Sequence, residues 1–190
     1  MGSESRTPFA ERWQPFRFDP AELLADLSSR FRLRHCTHVG HGVRVLGEVC
    51  FPGQGEVWLG DRVVLDARDA PIEFKAWAGS TLVIGADTYV GGGTSIELRR
   101  SVTIGARVQI GSYCKILDSH LHHFAGNHQE PPASTPVAVE DDVVIGARSI
   151  LLAGAHVGAR AVLDPGTVVK RRIEPGAIAG GVPARVRGRR

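Results

Sequence analysis

From Val139 onward an aliphatic residue returns at every sixth position: Val139, Ile145, Leu151, Val157, Leu163 and Val169. Four places after each of the first five stands a small or β-branched residue, namely Val143, Ser149, Ala155, Ala161 and Thr167. The earlier chain keeps the same beat in two runs, Ile84, Val90, Ile96, Val102 and then Ile104, Ile110, Ile116, the second offset by two residues. A looser unit stands before them at Leu59-Gly60. A period of six fits neither a helix nor a hairpin; it marks a short strand and a turn, repeated. Three such units close one triangular coil of about eighteen residues, with the aliphatic side chain pointing into the prism. Each such side chain is worth about 1.5–3 kcal/mol once buried, and a single coil cannot bury them, so coils must stack. The residue four places on must be small because the stacked coils crowd it. Glycine often follows the aliphatic, as in Ile145-Gly146 and Val157-Gly158. Its expected role is the left-handed backbone of the corner.

The beat fails in two places. Residues 1–35 lie outside it. There Asp19 can cap a helix, Pro20 suits its first turn, and Leu23, Leu24, Leu27 and Phe31 make one apolar stripe. The spacing predicts a helix over 20–32 that covers the open end of the solenoid, where bare strand edges would otherwise invite aggregation. The second break follows "ILDSHLHHF". Residues 122–136 are polar and Pro-rich, with "EPPASTP" favouring extended backbone. They must leave the prism as a loop, and loops on rigid scaffolds are where function concentrates. The expected organisation is an N-terminal extension over 1–35 and a β-solenoid domain over 36–187.

Composition agrees with many short strands and turns: 23 Gly and 11 Pro in 190 residues, and only 6% aromatics. The net charge of +3 is uneven. Arg171, Arg172, Arg185, Arg187, Arg189 and Arg190 crowd the C-terminus, as a solvated tail or as a rim for phosphates. No aromatic residues interleave with them as stacking platforms, which argues against nucleic acid. Cys36, Cys50 and Cys114 are odd in number and form no CxxC pair, so no disulfide framework is expected. No apolar run approaches the ~20 residues of a membrane span. The chain reads as soluble and cytoplasmic.

The six-residue pattern resembles that of the hexapeptide-repeat acyltransferases over roughly residues 39–187. It is most similar in "VVIGARSILLAGAHVGARAVLDPGTVVKRRIEPGAIAGGVPARV", which looks like the last coils of the sugar and antibiotic O-acetyltransferase branch, with "GGVPARV" similar to that branch's closing motif. The resemblance implies a left-handed parallel β-helix, a homotrimer, and acetyl-CoA as acyl donor in a groove between two subunits. It places His122, in Asp118-Ser119-His120-Leu121-His122, at the position of the catalytic base. It places Ala147, Pro165, Lys170, Arg171 and Arg185 against the cofactor, the three cations meeting its phosphates. Two departures stand out. Asp164-Pro165-Gly166 replaces a Gly-Ala-Gly string, and an acidic residue there is expected to point away from a phosphate. Val90-Gly91-Gly92-Gly93 replaces a stretch in which the maltose and galactoside enzymes carry a sugar-contacting Asn. The implied acceptor is therefore a different small molecule or glycan precursor.

The implied reaction needs such a histidine. A hydroxyl attacking a thioester must lose its proton, and imidazole is neutral and basic near pH 7. A positioned base contributes roughly 10²–10⁴-fold. Its ring must be oriented by a carboxylate such as Asp118 or by a backbone carbonyl, and the developing oxyanion needs an N–H donor. His120 falls at the crowded small-residue position and reads as packed. His123 and His128 read as loop residues, and His35, His38 and His41 as surface. His156 follows Ala155 on a turn and reads as structural sooner than as a ligand contact. A γ-class carbonic anhydrase reading would use His123 and His128, five apart. It lacks a third histidine near 84–105, so no metal is expected. A non-enzymatic trimeric scaffold is the remaining alternative.

Overall fold

The computed structural model describes residues 33–119 and 133–190. The helix expected over 20–32, and His120, His122, His123 and His128, lie outside those residues. Within them the chain is a left-handed parallel β-helix of three faces. The first face stacks His38–Val39, Glu56–Leu59, Thr81–Ile84, Ser101–Ile104, Val137–Val139, His156–Val157 and Arg172–Ile173. The second stacks Tyr89–Gly91, Gln109–Ile110, Val144–Ile145, Val162–Leu163 and Ala177–Gly180, and the third Ser95–Leu98, Lys115–Leu117, Ile150–Leu151 and Val168–Val169. Two long strands, Arg44–Cys50 and Val64–Ala76, bend around the corner and belong to both. The last strand, Arg185–Arg189, folds back antiparallel on Ala177–Gly180 and ends the second face.

The inward positions of the register are the aliphatic beat. Leu65, Val90, Ile110, Ile145, Leu163 and Ala179 face one another down the second face. Phe74, Ile96, Ile116, Leu151 and Val169 do so down the third. All are buried. The two-residue offset in the sequence is explained at one corner. Ile84 stacks on Ile104, not on Val102, so the corner between the third and first faces carries two added residues, Arg99 and Arg100.

The crowded position behaves as expected, with Val143, Ser149, Ala155, Ala161 and Thr167 all buried. Hydroxyls there are not wasted. Thr88 donates to the Gly105 carbonyl at 2.9 Å, Ser149 to Gly146 at 2.7 Å and Thr167 to Asp164 at 2.6 Å. They supply the partner that a buried polar group requires.

The role expected of the glycines is corrected. The left-handed corner is not taken by the glycine that follows the aliphatic. Between the first and second faces it is taken by Arg62, Asp87, Arg107, Asp142 and Arg160, with φ from 55° to 61°. Each costs about 1–2 kcal/mol relative to glycine. The glycines after the aliphatics answer a different need. A Cβ on Gly146 would stand 2.4 Å from the backbone nitrogen of Pro165 in the next coil, and one on Gly85 2.5 Å from the Gly105 carbonyl carbon. They are bare because the backbones of successive coils nearly touch.

The left-handed corner residues also pair. Arg62 clamps Asp87 through two bonds of 2.6 Å, and Arg107 clamps Asp142 at 2.6 and 2.9 Å while reaching Asp141 at 3.2 Å. These bonds hold the Asp87 and Asp142 carboxyls below the ordinary carboxylate range.

Two outcomes follow. Gly146→Ala forces backbone apart and should cost about 1–3 kcal/mol. Gly166→Ala has open space around its Cβ and pays only for φ near 72°, about 1 kcal/mol; urea unfolding compares the two. The carboxylates stabilise the fold fully above their unfolded pKa and lose that contribution as pH falls through the lower folded value. Arg107→Met should therefore flatten the drop in thermal midpoint on acidification below about pH 4.

Candidate functional site

The second face and the corner that follows it carry a groove of about 870 Å³. Its walls come from equivalent places in successive coils. Ile110-Gly111-Ser112, Ile145-Gly146-Ala147 and Leu163-Asp164-Pro165 form three rungs of the floor, and Tyr89, Gln109, Val144 and Val162 stand out from the strands. The trough runs from the row of Asp66 to that of Asp164, four strand spacings or about 19 Å. Because Gly111 and Gly146 carry no side chain, the floor between rungs is largely backbone.

Each end is polar. At one, Arg68 clamps Asp66 through bonds of 2.8 and 2.7 Å, and the Tyr89 hydroxyl donates to the same carboxylate at 3.1 Å. The Arg68 bond holds the Asp66 carboxyl below its usual range, and burial pushes the Tyr89 phenol up to about 12. At the other end Arg187 reaches Asp164 at 3.2 Å. Asp164 was expected to point away from a phosphate. It instead lines the groove, with its charge compensated by an arginine from the returning last strand.

Two of the five cofactor positions, Ala147 and Pro165, line this groove. Arg185 is exposed on the last strand, paired with Gly180 at the groove's C-terminal end. Lys170 and Arg171 are exposed at the corner between the third and first faces and do not line it. Asp66, Arg68, Tyr89, Gln109 and Ser112 escaped the sequence reading. Ser112 had a usable signal, since it occupies the same place after its aliphatic as Ala147 and Pro165. The others did not, because their alignment exists only once coils stack.

The insertion leaves and returns at one point. Ser119 and Ser134 form an antiparallel bridge, and the Thr135 amide donates to the Asp118 carbonyl at 2.7 Å. Asp118 is fully buried, and its carboxylate accepts from the backbone amides of Arg99, Arg100 and Ser101 at 2.8, 2.6 and 2.9 Å. It fastens the widened corner. His122 itself lies outside the described residues.

His156 is engaged elsewhere, on the first face. Its Nε2 lies 2.6 Å from Glu140 Oε1 and its Nδ1 3.2 Å from an Arg172 guanidinium nitrogen. Guanidinium only donates, so Nδ1 accepts and Nε2–H donates to Glu140. The His156 bond, with the Ala159 amide on the other oxygen, holds Glu140 below its ordinary range. Among the described residues no group of three His, Cys, Asp or Glu side chains is placed to hold a metal ion.

A family model for the hexapeptide repeat of succinyl-transferase matches residues 136–171. This is a hexapeptide-repeat solenoid. A 57-residue stretch, 30% of the chain, is 44% identical to a 2,3,4,5-tetrahydropyridine-2,6-dicarboxylate N-acetyltransferase of Staphylococcus aureus. The chain spans only 24% of that relative's length. Among solved structures, a hexapeptide-repeat acetyltransferase of Vibrio cholerae, complexed with acetyl-CoA, superposes with a TM-score of 0.63 at 24% identity. That match covers 86% of this chain and 78% of the other. AntD, an N-acyltransferase from Bacillus cereus in complex with dTDP and 3-hydroxybutyryl-CoA, superposes with a TM-score of 0.71 at 17% identity, covering 86% of this chain and 88% of AntD. At these identities both likenesses establish the shared solenoid fold alone.

Asp66→Asn removes the carboxylate that orients both Arg68 and Tyr89, and a spectrophotometric titration should show the phenol ionising at lower pH than in the parent.

Proposed function

We propose that the solenoid is an acetyltransferase that uses acetyl-CoA to acylate a hydroxyl on a sugar or glycan precursor, with His122 as general base and a homotrimer as the working form. The observation that carries this reading is the groove. It is narrow, floored by backbone, and about 19 Å long from end to end. A pantetheine arm is roughly thirteen bonds, about 15 Å when extended, and its two amides suit a wall of exposed coil backbone. The arginines gathered at the C-terminal end, Arg185 and Arg187 among them, suit phosphates, and the paired Asp164 does not oppose them.

With the nucleotide at that end, the acyl group lies toward the rows of Tyr89 and Gln109. The acceptor oxygen attacks the thioester carbon, the carbon–sulfur bond breaks, and the acceptor's proton passes to His122 and then to the leaving thiolate. The likeness to an acetyl-CoA-bound acetyltransferase and to an N-acyltransferase bound to dTDP supports this donor and a sugar acceptor. A second reading has support of its own. Two of the three proteins named above are N-acyltransferases, so an amino sugar is the alternative acceptor.

Thiol release from acetyl-CoA, with panels of sugars, amino sugars and nucleotide sugars, tests donor and acceptor together. Burial pushes the Cys36 thiol up to about 12 and raises Cys50, helped by Glu48, and Cys114, so the protein alone is the blank for this readout. His122→Ala should lower kcat by about 10²–10⁴-fold with acetyl-CoA affinity intact; unchanged turnover would remove the proposed base. Ala147→Trp should fill the trough and weaken acetyl-CoA binding at least about tenfold, or 1.4 kcal/mol, as read by calorimetry.

A further inference from the structure

The corner between the third and first faces carries a feature that neither the groove nor the solenoid requires. Trp77 stands outward there, 43% exposed. The Arg99 guanidinium lies over its ring at 4.3 Å, and Lys75 Nζ is 5.8 Å from the ring centre. Arg99 and Arg100 are the two residues added to this corner, and Asp118 fixes both of their amides. Trp77 is bonded into the same corner, its amide donating to the Leu98 carbonyl at 3.0 Å. Directly beneath comes Ser119, where the insertion leaves the prism.

The charge pattern here differs from the rest of this part of the chain. Arg62, Arg68 and Arg107 are each clamped on a carboxylate. Among the described residues, Arg99 and Arg100 have no carboxylate partner. Only Lys75 is near one, 4.0 Å from Glu97. A guanidinium held over an indole by its cationic charge still carries N–H donors, and an unclamped arginine fork matches a carboxylate. The indole keeps apolar surface open beside it, suited to the C–H face of a pyranose ring.

We propose that Trp77, Arg99 and Arg100 form a binding subsite for an acidic saccharide, with its ring against the indole and its carboxylate on the guanidinium edges. This rests on the acetyltransferase reading and specifies its acceptor. The subsite adjoins the neck of the insertion, and His122 lies three residues beyond Ser119, within about 10 Å of chain. The acceptor is thereby an anionic sugar polymer or oligomer that lies across the corner and offers a hydroxyl to the loop.

Calorimetric titration of the full chain without acetyl-CoA, using trigalacturonate and maltotriose as probes of equal length, tests the subsite apart from catalysis. Trigalacturonate should bind at least tenfold more tightly than maltotriose, and its affinity should weaken as salt rises. Arg99→Gln keeps the amide that Asp118 holds, and it and Trp77→Leu should each weaken trigalacturonate tenfold while leaving acetyl-CoA affinity unchanged. Equal binding of the two sugars, or variants within twofold of the parent, would make this corner a surface cation–π contact only and overturn the proposal. Trigalacturonate binding at the corner with no thiol release toward any acceptor would sink the acetyltransferase reading and leave the subsite standing. Acetyl transfer that Trp77→Leu and Arg99→Gln do not touch would do the reverse.

Discussion

Backbone hydrogen bonds between one coil and the next hold this solenoid, and every other feature has to fit around their spacing. Rungs sit about 4.8 Å apart. That distance decides which residues stand after the aliphatics, because a Cβ on Gly85, Gly111 or Gly146 would enter the neighbouring backbone. It decides the small buried residues, whose hydroxyls return to carbonyls of nearby turns. It also makes the groove, since bare glycine backbone between projecting rungs leaves a trough with amides and carbonyls along its floor. The same constraint that packs the prism therefore shapes the groove along its surface.

Two departures from that spacing interrupt the prism. One is the insertion after Ser119, tied at its neck by the Ser119–Ser134 bridge so that a polar segment leaves without opening the core. The other is the pair of added residues at 99 and 100, whose amides Asp118 collects. Both fall on one corner, and Asp118 belongs to both. A buried carboxylate that accepts three amide hydrogens is a strong local fixture. It joins the stability of the widened corner to the position of the loop.

The fold was legible because its rule is local. Val139, Ile145, Leu151 and their successors must be aliphatic, whatever lies outside, and that requirement repeats along the chain. The corners were misread because left-handed backbone is not written in glycine alone. Arg62, Asp87, Arg107 and Tyr113 tolerate it, and no composition signal marks them. The groove was half legible. Ala147 and Pro165 came from the resemblance, while Tyr89 joins the local Asp66–Arg68 pair only when residues some twenty apart are stacked. His122 was named from a motif and lies outside the described residues; Asp118, offered beside a backbone carbonyl as its orienting group, accepts three amides of the widened corner.

The charged corner residues have a consequence for how such a chain can change length. Arg62, Asp87, Arg107, Asp142 and Arg160 occupy successive steps of one edge with alternating sign. Removing one inner turn of the prism would set arginine upon arginine or aspartate upon aspartate where the flanking turns then meet. Removing two would restore the match. Growth and shortening are thus favoured in pairs, and a mis-stacked intermediate displaced by a single step during folding meets electrostatic opposition that a native one does not.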